Sequence, residues 1–313
     1  MQAGFLGGAG FIGSYLSQYL VSRTGCDLRL LIRNAARRPV VPAAEVMTGD
    51  LLSRADCERF VADLNVIYYL AHTNTPVTSD QDQPTDATMN LLPLLNLLDA
   101  IRRRRSKPHI VYFSSGGAVY SRRAERTPFR ECDETGPSSS YGILKLTAEH
   151  YLRVAAERGE ASATVLRVGN AYGTLLPEYR TQGFIGVALS HILNGNPVRV
   201  FGNPENVRDY VHLEDISAAA CAAAKARRVF DVFNIGTGRG YSVNQVLGLI
   251  RNSYGAAFPV VYDARPGEWL TDWVVLDSSR AREEIGWSAT VDLQDGIHRM
   301  VCGLRGQANT TAT

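Results

Sequence analysis

Short apolar runs alternate with longer amphipathic stretches through the first half of the chain. Residues 2–6, 28–32, 45–47, 65–70, 110–113 and 164–168 are compact and largely apolar, as strands buried on both faces are. Between them, residues 11–23, 53–62, 84–105 and 140–158 read as helices. Leu91, Leu94, Leu95 and Leu98 form one core face, and Pro93 within it predicts a kink or a late start. Ser53 reads as an N-cap. Alternating strands and helices predict an α/β protein, a parallel doubly wound sheet with its site at the carboxyl ends of the strands.

Beyond residue 170 the order loosens. A loop at 175–183 leads to a helix at 184–193 ended by Asn194-Gly195 and a short strand at 197–201. An Ala-rich helix reaches 226, a strand covers 230–235, and a helix covers 243–253. Two short helices, 278–285 and 292–304, end the fold, and residues 306–313 are expected to be a disordered tail. Neither an internal repeat nor a clean linker interrupts this pattern.

Composition narrows the class. The 313 residues are 45% hydrophobic and 20% charged, the balance of an ordinary soluble protein. A net charge of +2 gives no argument for nucleic acid, and the Arg102–Arg105 run reads as a solvated helix end. The longest apolar stretches carry polar breaks and fall short of a membrane span, and the N-terminus lacks a signal-peptide layout. Five scattered cysteines and six histidines show no metal spacing, which points to reduced thiols in a cytoplasmic enzyme without a metal.

The candidate chemistry begins at Gly7-Gly8-Ala9-Gly10-Phe11-Ile12-Gly13, between the first strand and first helix. That arrangement sets a pyrophosphate on a helix N-terminus. Gly7 allows the tight turn, Gly10 the backbone's approach to the phosphates, and Gly13 close packing of helix on strand. A merely flexible turn is the alternative. After the second strand, where an NAD site usually presents an acidic residue, the chain has Arg33-Asn34 and then Arg37-Arg38. Arg33 suits a 2′-phosphate and leans the cofactor from NAD toward NADP, with a solvated basic loop as the alternative. Asp50 can accept from an adenine amino group, and Leu70-Ala71-His72 should lie beside the middle of the cofactor. Tyr141 and Lys145 share a helix face. An ammonium there lowers the phenol's pKa, so that the phenol can trade a proton with a substrate hydroxyl while a hydride leaves the same carbon.

Together these segments resemble the extended short-chain dehydrogenase/reductase family, in its nucleotide-sugar epimerase/dehydratase branch, over residues 2–304. Further markers are Gly49-Asp50, Ser114-Ser115 through Val119-Tyr120, Leu166-Arg167-x-x-Asn170-x-Tyr172-Gly173, Val207-Arg208-Asp209-Tyr210-Val211-His212 and Arg265-Pro266-Gly267. The resemblance implies a Rossmann domain over residues 1–170, to which later segments return, and a mainly nucleotide-sugar-binding domain over 171–305. It makes Tyr141 the acid/base and gives Lys145 the nicotinamide ribose and the tuning of Tyr141. Phe11, Ile12, Leu51, Leu70, Ala71 and His72 fall among the cofactor positions. Asn90 matches a buried, site-supporting Asn. Asn170, Arg208 and Arg265 match residues that hold the diphosphate, for which forked donors are suited, and Val198, Val200 and Phe201 fall where the base is cradled. The expected ligand is a nucleotide sugar, a UDP-sugar first, and the expected assembly is a homodimer built on the 84–105 and 140–158 helices.

Two departures matter. Gly116 stands where the family usually has a Ser or Thr, and Ala118 where some relatives carry a Thr. That leaves Ser115, then Ser114, as the second hydroxyl at the substrate. Where the 4,6-dehydratases place an Asp-Glu pair, this chain has Gly117-Ala118, which argues against dehydration. The expected reaction is therefore epimerisation at C4 through a 4-keto sugar. The alternatives are an NADPH-dependent 4-ketoreductase and, because of Gly116 and Ala118, a non-catalytic dinucleotide-binding sensor or scaffold. The loops at 73–82 and 175–182 should choose the sugar.

Overall fold

The computed structural model describes residues 2–34, 41, 44–263 and 272–310. Arg37, Arg38 and Arg265 lie outside them. The first half runs β1 (Gln2–Leu6), α1 (Phe11–Thr24), β2 (Asp27–Ile32), β3 (Glu45–Thr48), α2 (Arg54–Phe60), β4 (Val66–Tyr69), α3 (Gln83–Asn90), α4 (Leu92–Arg104), β5 (His109–Ser115), α5 (Ser140–Glu157) and β6 (Ser162–Val168). The second half runs β7 (Asn170–Tyr172), α6 (Phe184–Leu193), β8 (Val198–Phe201), β9 (Val207–His212), α7 (Leu213–Ala226), β10 (Phe230–Ile235), β11 (Gly240–Ser242), α8 (Val243–Tyr254), β12 (Val260–Asp263), β13 (Trp273–Val274), α9 (Ser279–Ile285) and α10 (Leu293–Thr310).

Seven strands form one parallel sheet in the order β3-β2-β1-β4-β5-β6-β10. All of β4 and nearly all of β5 are buried, as their continuous apolar runs require. Helices cover both faces: Leu16, Leu20, Ile216 and Ala220 pack one side with Phe5 and Val111, and Leu94, Leu97 and Leu152 the other with Ile67 and Tyr112. The chain leaves β1 toward β2 and β3 on one side and continues from β4 on the other. The β1/β4 border is therefore the switch point where such sheets take ligands.

The single helix expected over 84–105 is two. Pro93 sits in the first turn of α4 and cannot donate a backbone hydrogen bond, so the chain breaks at Leu91 between α3 and α4. Ser53 caps α2, accepting from Asp56 N at 3.3 Å. The last helix, expected to end at 304, runs on. The backbone of α10 stays helical through Thr310, a turn and a half past the expected end, while residues 311–313 lie outside those described.

The remaining strands make a smaller lobe on the carboxyl edge of the sheet. β9 pairs with β7, β13 and β11, and β8 with β12. Leu189, Val198, Val200, Leu247, Ile250 and Ile297 form its core. The buried Asp209 stitches the lobes together, accepting from Thr237 N (2.8 Å), Gly238 N (3.0 Å) and Leu276 N (3.2 Å).

Candidate active site

The Gly-rich turn lies against the end of β4. Gly7 has φ +88°, and a Cβ there would sit 2.8 Å from Ala71 N. A Cβ at Gly13 would sit 2.2 Å from Gly7 O. Helix α1 starts after Gly10 with no side-chain cap and no acidic residue in its first turn. Its leading N–H groups therefore face the turn, which packs at Gly7 against the backbone of Leu70 and Ala71. A cradle open to backbone approach and closed to any Cβ fits a dinucleotide pyrophosphate. Asp50 is part of a turn, accepting from Leu52 N at 2.9 Å. The Leu51 side chain is in the core and its carbonyl accepts from Asn96, while Arg33 is exposed beyond β2.

Tyr141 and Lys145 lie on α5, and Tyr141 lines a cleft of about 350 Å³ while Lys145 is buried behind it. Burial pushes the Tyr141 phenol up to about 12, and a side-chain hydrogen bond with Ser115 pulls it back. Burial pushes Lys145 down to about 7, opposed by Glu149. Lys145 Nζ donates to Phe113 O at 2.8 Å and stands 5.6 Å from the centre of the Tyr141 ring. The expected lowering of the phenol by Lys145 is thus outweighed. The Lys145 nitrogen is turned to the Phe113 carbonyl, and burial disfavours its charge.

The two serines divide their work. Ser114 Oγ donates to Glu149 Oε1 at 2.5 Å, and Glu149 is in turn held by Arg167 in a buried ion pair of 2.7 Å. Ser115 faces Tyr141 and the cleft. Gly116 has no room for the hydroxyl residue that the family usually carries. A Cβ there would lie 2.6 Å from Leu276 Cδ1 and 3.2 Å from Arg167 O.

Asn170 and Arg208 line the same cleft. Arg208 Nη1 donates to Val207 O at 2.7 Å, burial lowers its pKa, and among the described residues no carboxylate lies within ion-pair distance. A desolvated cation of this kind is suited to an incoming anion. The β8 residues expected at the base divide by face. Val198 and Val200 are 1% exposed and belong to the lobe's core, because side chains alternate along a strand; only Phe201, 53% exposed, faces out. Asn90 is buried on α3, its Oδ1 accepting from Thr73 N at 2.7 Å.

The structure adds residues that sequence reading passed over. Ser138 and Ser139 line the cleft, and Ser139 caps α5 by accepting from Gly142 N at 3.3 Å. The Ser-Ser-Ser run before Tyr141 was their signal. Arg180, Thr181 and Gln182 also line it, and the two loops expected to choose the sugar meet where Thr75 Oγ1 and Thr181 Oγ1 are 3.2 Å apart. Among the described residues no group of metal-ligating side chains is found, and no helix is long and apolar enough to cross a membrane.

Residues 5–236 match the model of the NAD dependent epimerase/dehydratase family. A UDP-glucose 4-epimerase from Azospirillum brasilense is 32% identical, over 94% of this chain and 88% of that protein. The structure of UDP-glucose 4-epimerase from Thermotoga maritima, with UDP-glucose, superposes with a TM-score of 0.90 at 29% identity, over 98% of this chain and all (100%) of that one. UDP-glucose 4-epimerase from Thermus thermophilus, in complex with NAD, gives 0.88 at 29% identity, over 98% and 99%. Strand order, glycine cradle and the Tyr141–Lys145 helix agree with that match, and the chain belongs to the NAD dependent epimerase/dehydratase family, a branch of the extended short-chain dehydrogenases/reductases.

Proposed function

We propose that this chain is an NAD(P)-dependent nucleotide-sugar epimerase, inverting C4 of a UDP-sugar through a 4-keto intermediate. One observation carries the reading. The Tyr141–Ser115 pair and the Arg208 guanidinium, which has no ion-pair partner among the described residues, line a single cleft, so one ligand with a hydroxylated ring and a diphosphate can meet both. The Thermotoga and Thermus relatives, with UDP-glucose and NAD, support the choice of ligands.

When bound, the nicotinamide supplies the acceptor and then the donor of the electron pair exchanged at the sugar carbon. Tyr141 takes the proton of the sugar hydroxyl in the first half-reaction and returns it in the second. Ser115 hydrogen-bonds the same oxygen. Lys145, poised at about 7, can take on charge beside the phenol and ease its ionisation. Arg208, Asn170 and Arg265 hold the diphosphate while the 4-keto ring turns over. Residues to about 170 bind mainly the dinucleotide, and the lobe from β7 onward mainly the nucleotide sugar. A second reading, a 4-ketoreductase that consumes NADPH, is favoured by Arg33.

The assembly proposed is a homodimer on α4 and α5. In its support, α5 exposes Ile143, Tyr151 and Val154 at helical spacing, and α4 exposes Leu92. The deciding experiment measures the dinucleotide carried by the purified protein and its conversion of UDP-glucose, with Tyr141→Phe beside it. Cofactor released only on denaturation, with conversion reduced about 100-fold or more in the variant, is expected. NADPH consumed stoichiometrically would favour the reductase. Cofactor bound with no conversion would leave only the sensor or scaffold.

A further inference from the structure

We infer that Asp86 is a positioning residue for the Tyr141 phenol, acting through Ser140 and Asn90. It is a buried acidic side chain that the reaction above does not use. Its carboxylate is fully buried (0% exposed), and among the described residues its hydrogen-bond partners are neutral donors. Oδ1 accepts from Asn74 Nδ2 at 2.9 Å and Asn90 Nδ2 at 2.7 Å. Oδ2 accepts from Ser140 Oγ at 2.6 Å.

Those three donors come from three pieces of chain: the loop after β4, α3 itself, and the first residue of α5. All three meet at the Asp86 carboxylate. Ser140 is the chain neighbour of Tyr141, and Ser140 N also donates to Asp80 Oδ1 at 2.8 Å, so two carboxylates anchor the start of the helix that carries the phenol. On the other side, Asp86 claims the amide nitrogen of Asn90 and thereby turns Asn90 Oδ1 toward Thr73, accepting from its N at 2.7 Å and from Oγ1 at 3.2 Å. Thr73 follows His72, whose ring rests against that of Tyr141. One carboxylate thus fixes the phenol from behind and from the side.

Stability gives a poor reason for an acid here. An apolar residue of similar volume at a helix contact is commonly as stable as a buried charge, or more so. A carboxylate does what such a residue cannot: it only accepts, so every group around it is forced to present a donor. The result is a single orientation for two amides and one hydroxyl. Reacting groups displaced by about 1 Å lose roughly 100-fold in rate, which is the scale on which such a clamp acts.

The inference rests on the epimerase reading, and the test separates the two. Wild type, Ser140→Ala, Ser140→Thr, Asp86→Leu and the Asp86→Leu/Ser140→Ala double variant are loaded with dinucleotide and assayed with UDP-glucose. Expected for Ser140→Ala is a fall in kcat of about 10- to 100-fold with KM and dinucleotide affinity within about twofold. Ser140→Thr, which keeps the donor, recovers most of the rate. The double variant is no slower than the worse single one, because both break one linkage. If Asp86→Leu does not fold, the two Ser140 variants carry the test alone. Ser140→Ala with full kcat, or with a loss that Ser140→Thr does not repair, overturns the inference while wild-type turnover keeps the parent reading. A wild-type protein that converts no UDP-sugar overturns both.

Discussion

The imidazole of His72 stands edge-on to the phenol ring of Tyr141, their centres 4.7 Å and their planes 82° apart. Its Nε2 is buried without a hydrogen-bond partner among the described residues, and burial, with Lys145 beside it, pushes its pKa down to about 2. The ring is neutral at any working pH and acts as a wall. Expected, then, is that His72→Phe keeps most of the activity and the wild-type pH–rate profile between pH 5 and 8, while His72→Ala loses about tenfold as the phenol gains freedom. A profile whose acid limb vanishes in His72→Phe would show that His72 titrates in catalysis.

The same burial makes stability depend on pH. His109, pinned between Ser162 and Thr164, is held down at about 4 by burial and by Arg227. An unfolded imidazole binds its proton near pH 6.5. Below that, the unfolded chain takes up protons that the folded one refuses. The stability is complete above pH 6.5 and falls on acidification, until about pH 4 for His109 and about pH 2 for His72. Each group adds a slope of up to about 1.4 kcal/mol per pH unit. Urea melts at pH 6.5, 5.5 and 5.0 should show a shallower loss in His72→Phe than in wild type.

Lys145 should make the reverse exchange of stability for function. Its folded value of about 7 lies below the ordinary 10.5, so in the window between them the unfolded chain holds a proton that the folded chain lacks. At neutral pH that burden remains. Lys145→Met is expected to be inactive yet about 1–2 kcal/mol more stable at pH 7.5, after allowing for the lost bond to Phe113 O. A melt showing the variant less stable would mean that the hydrogen bond outweighs the burial.

Gly116 can be tested by restoring what the family usually has. Gly116→Ser should cost about 1–3 kcal/mol, since its Cβ would meet Leu276 and the Arg167 carbonyl, and it should bring no gain in turnover. Leu276→Ala alongside it should return part of the loss by opening space. Ser115→Ala, by contrast, should slow turnover about 10- to 100-fold at unchanged stability. A faster Gly116→Ser enzyme would show that the second hydroxyl is missing rather than moved.

What the sequence revealed tracks how local each cause is. The glycine cradle, the Ser53 cap and the Pro93 break depend on neighbours a few residues away, and each could be read from spacing. That the side chains of Val198 and Val200 point into the lobe's core follows from strand alternation. The crowding of Gly116 by Leu276, the Ser114–Glu149–Arg167 chain and the Asp86 clamp join segments far apart, and no periodicity records them. The titration of Tyr141 escapes the sequence for the same reason: charge proximity is visible there, desolvation is not.

The sheet takes its last strand late. β10 pairs along β6, yet β7, α6, β8, β9 and α7 are all made between them. On the ribosome, β6 therefore waits with a bare parallel edge while the stretch from Asn170 to Val229 emerges, on the order of several seconds at ordinary rates of synthesis. An unpaired edge of that kind invites strands from other chains. Newly made chains should accordingly be most in need of chaperones after residue 168 has emerged and before residue 235 has. No single cut of the chain separates the two lobes, since β10, a strand of the large sheet, lies between segments that build the smaller one.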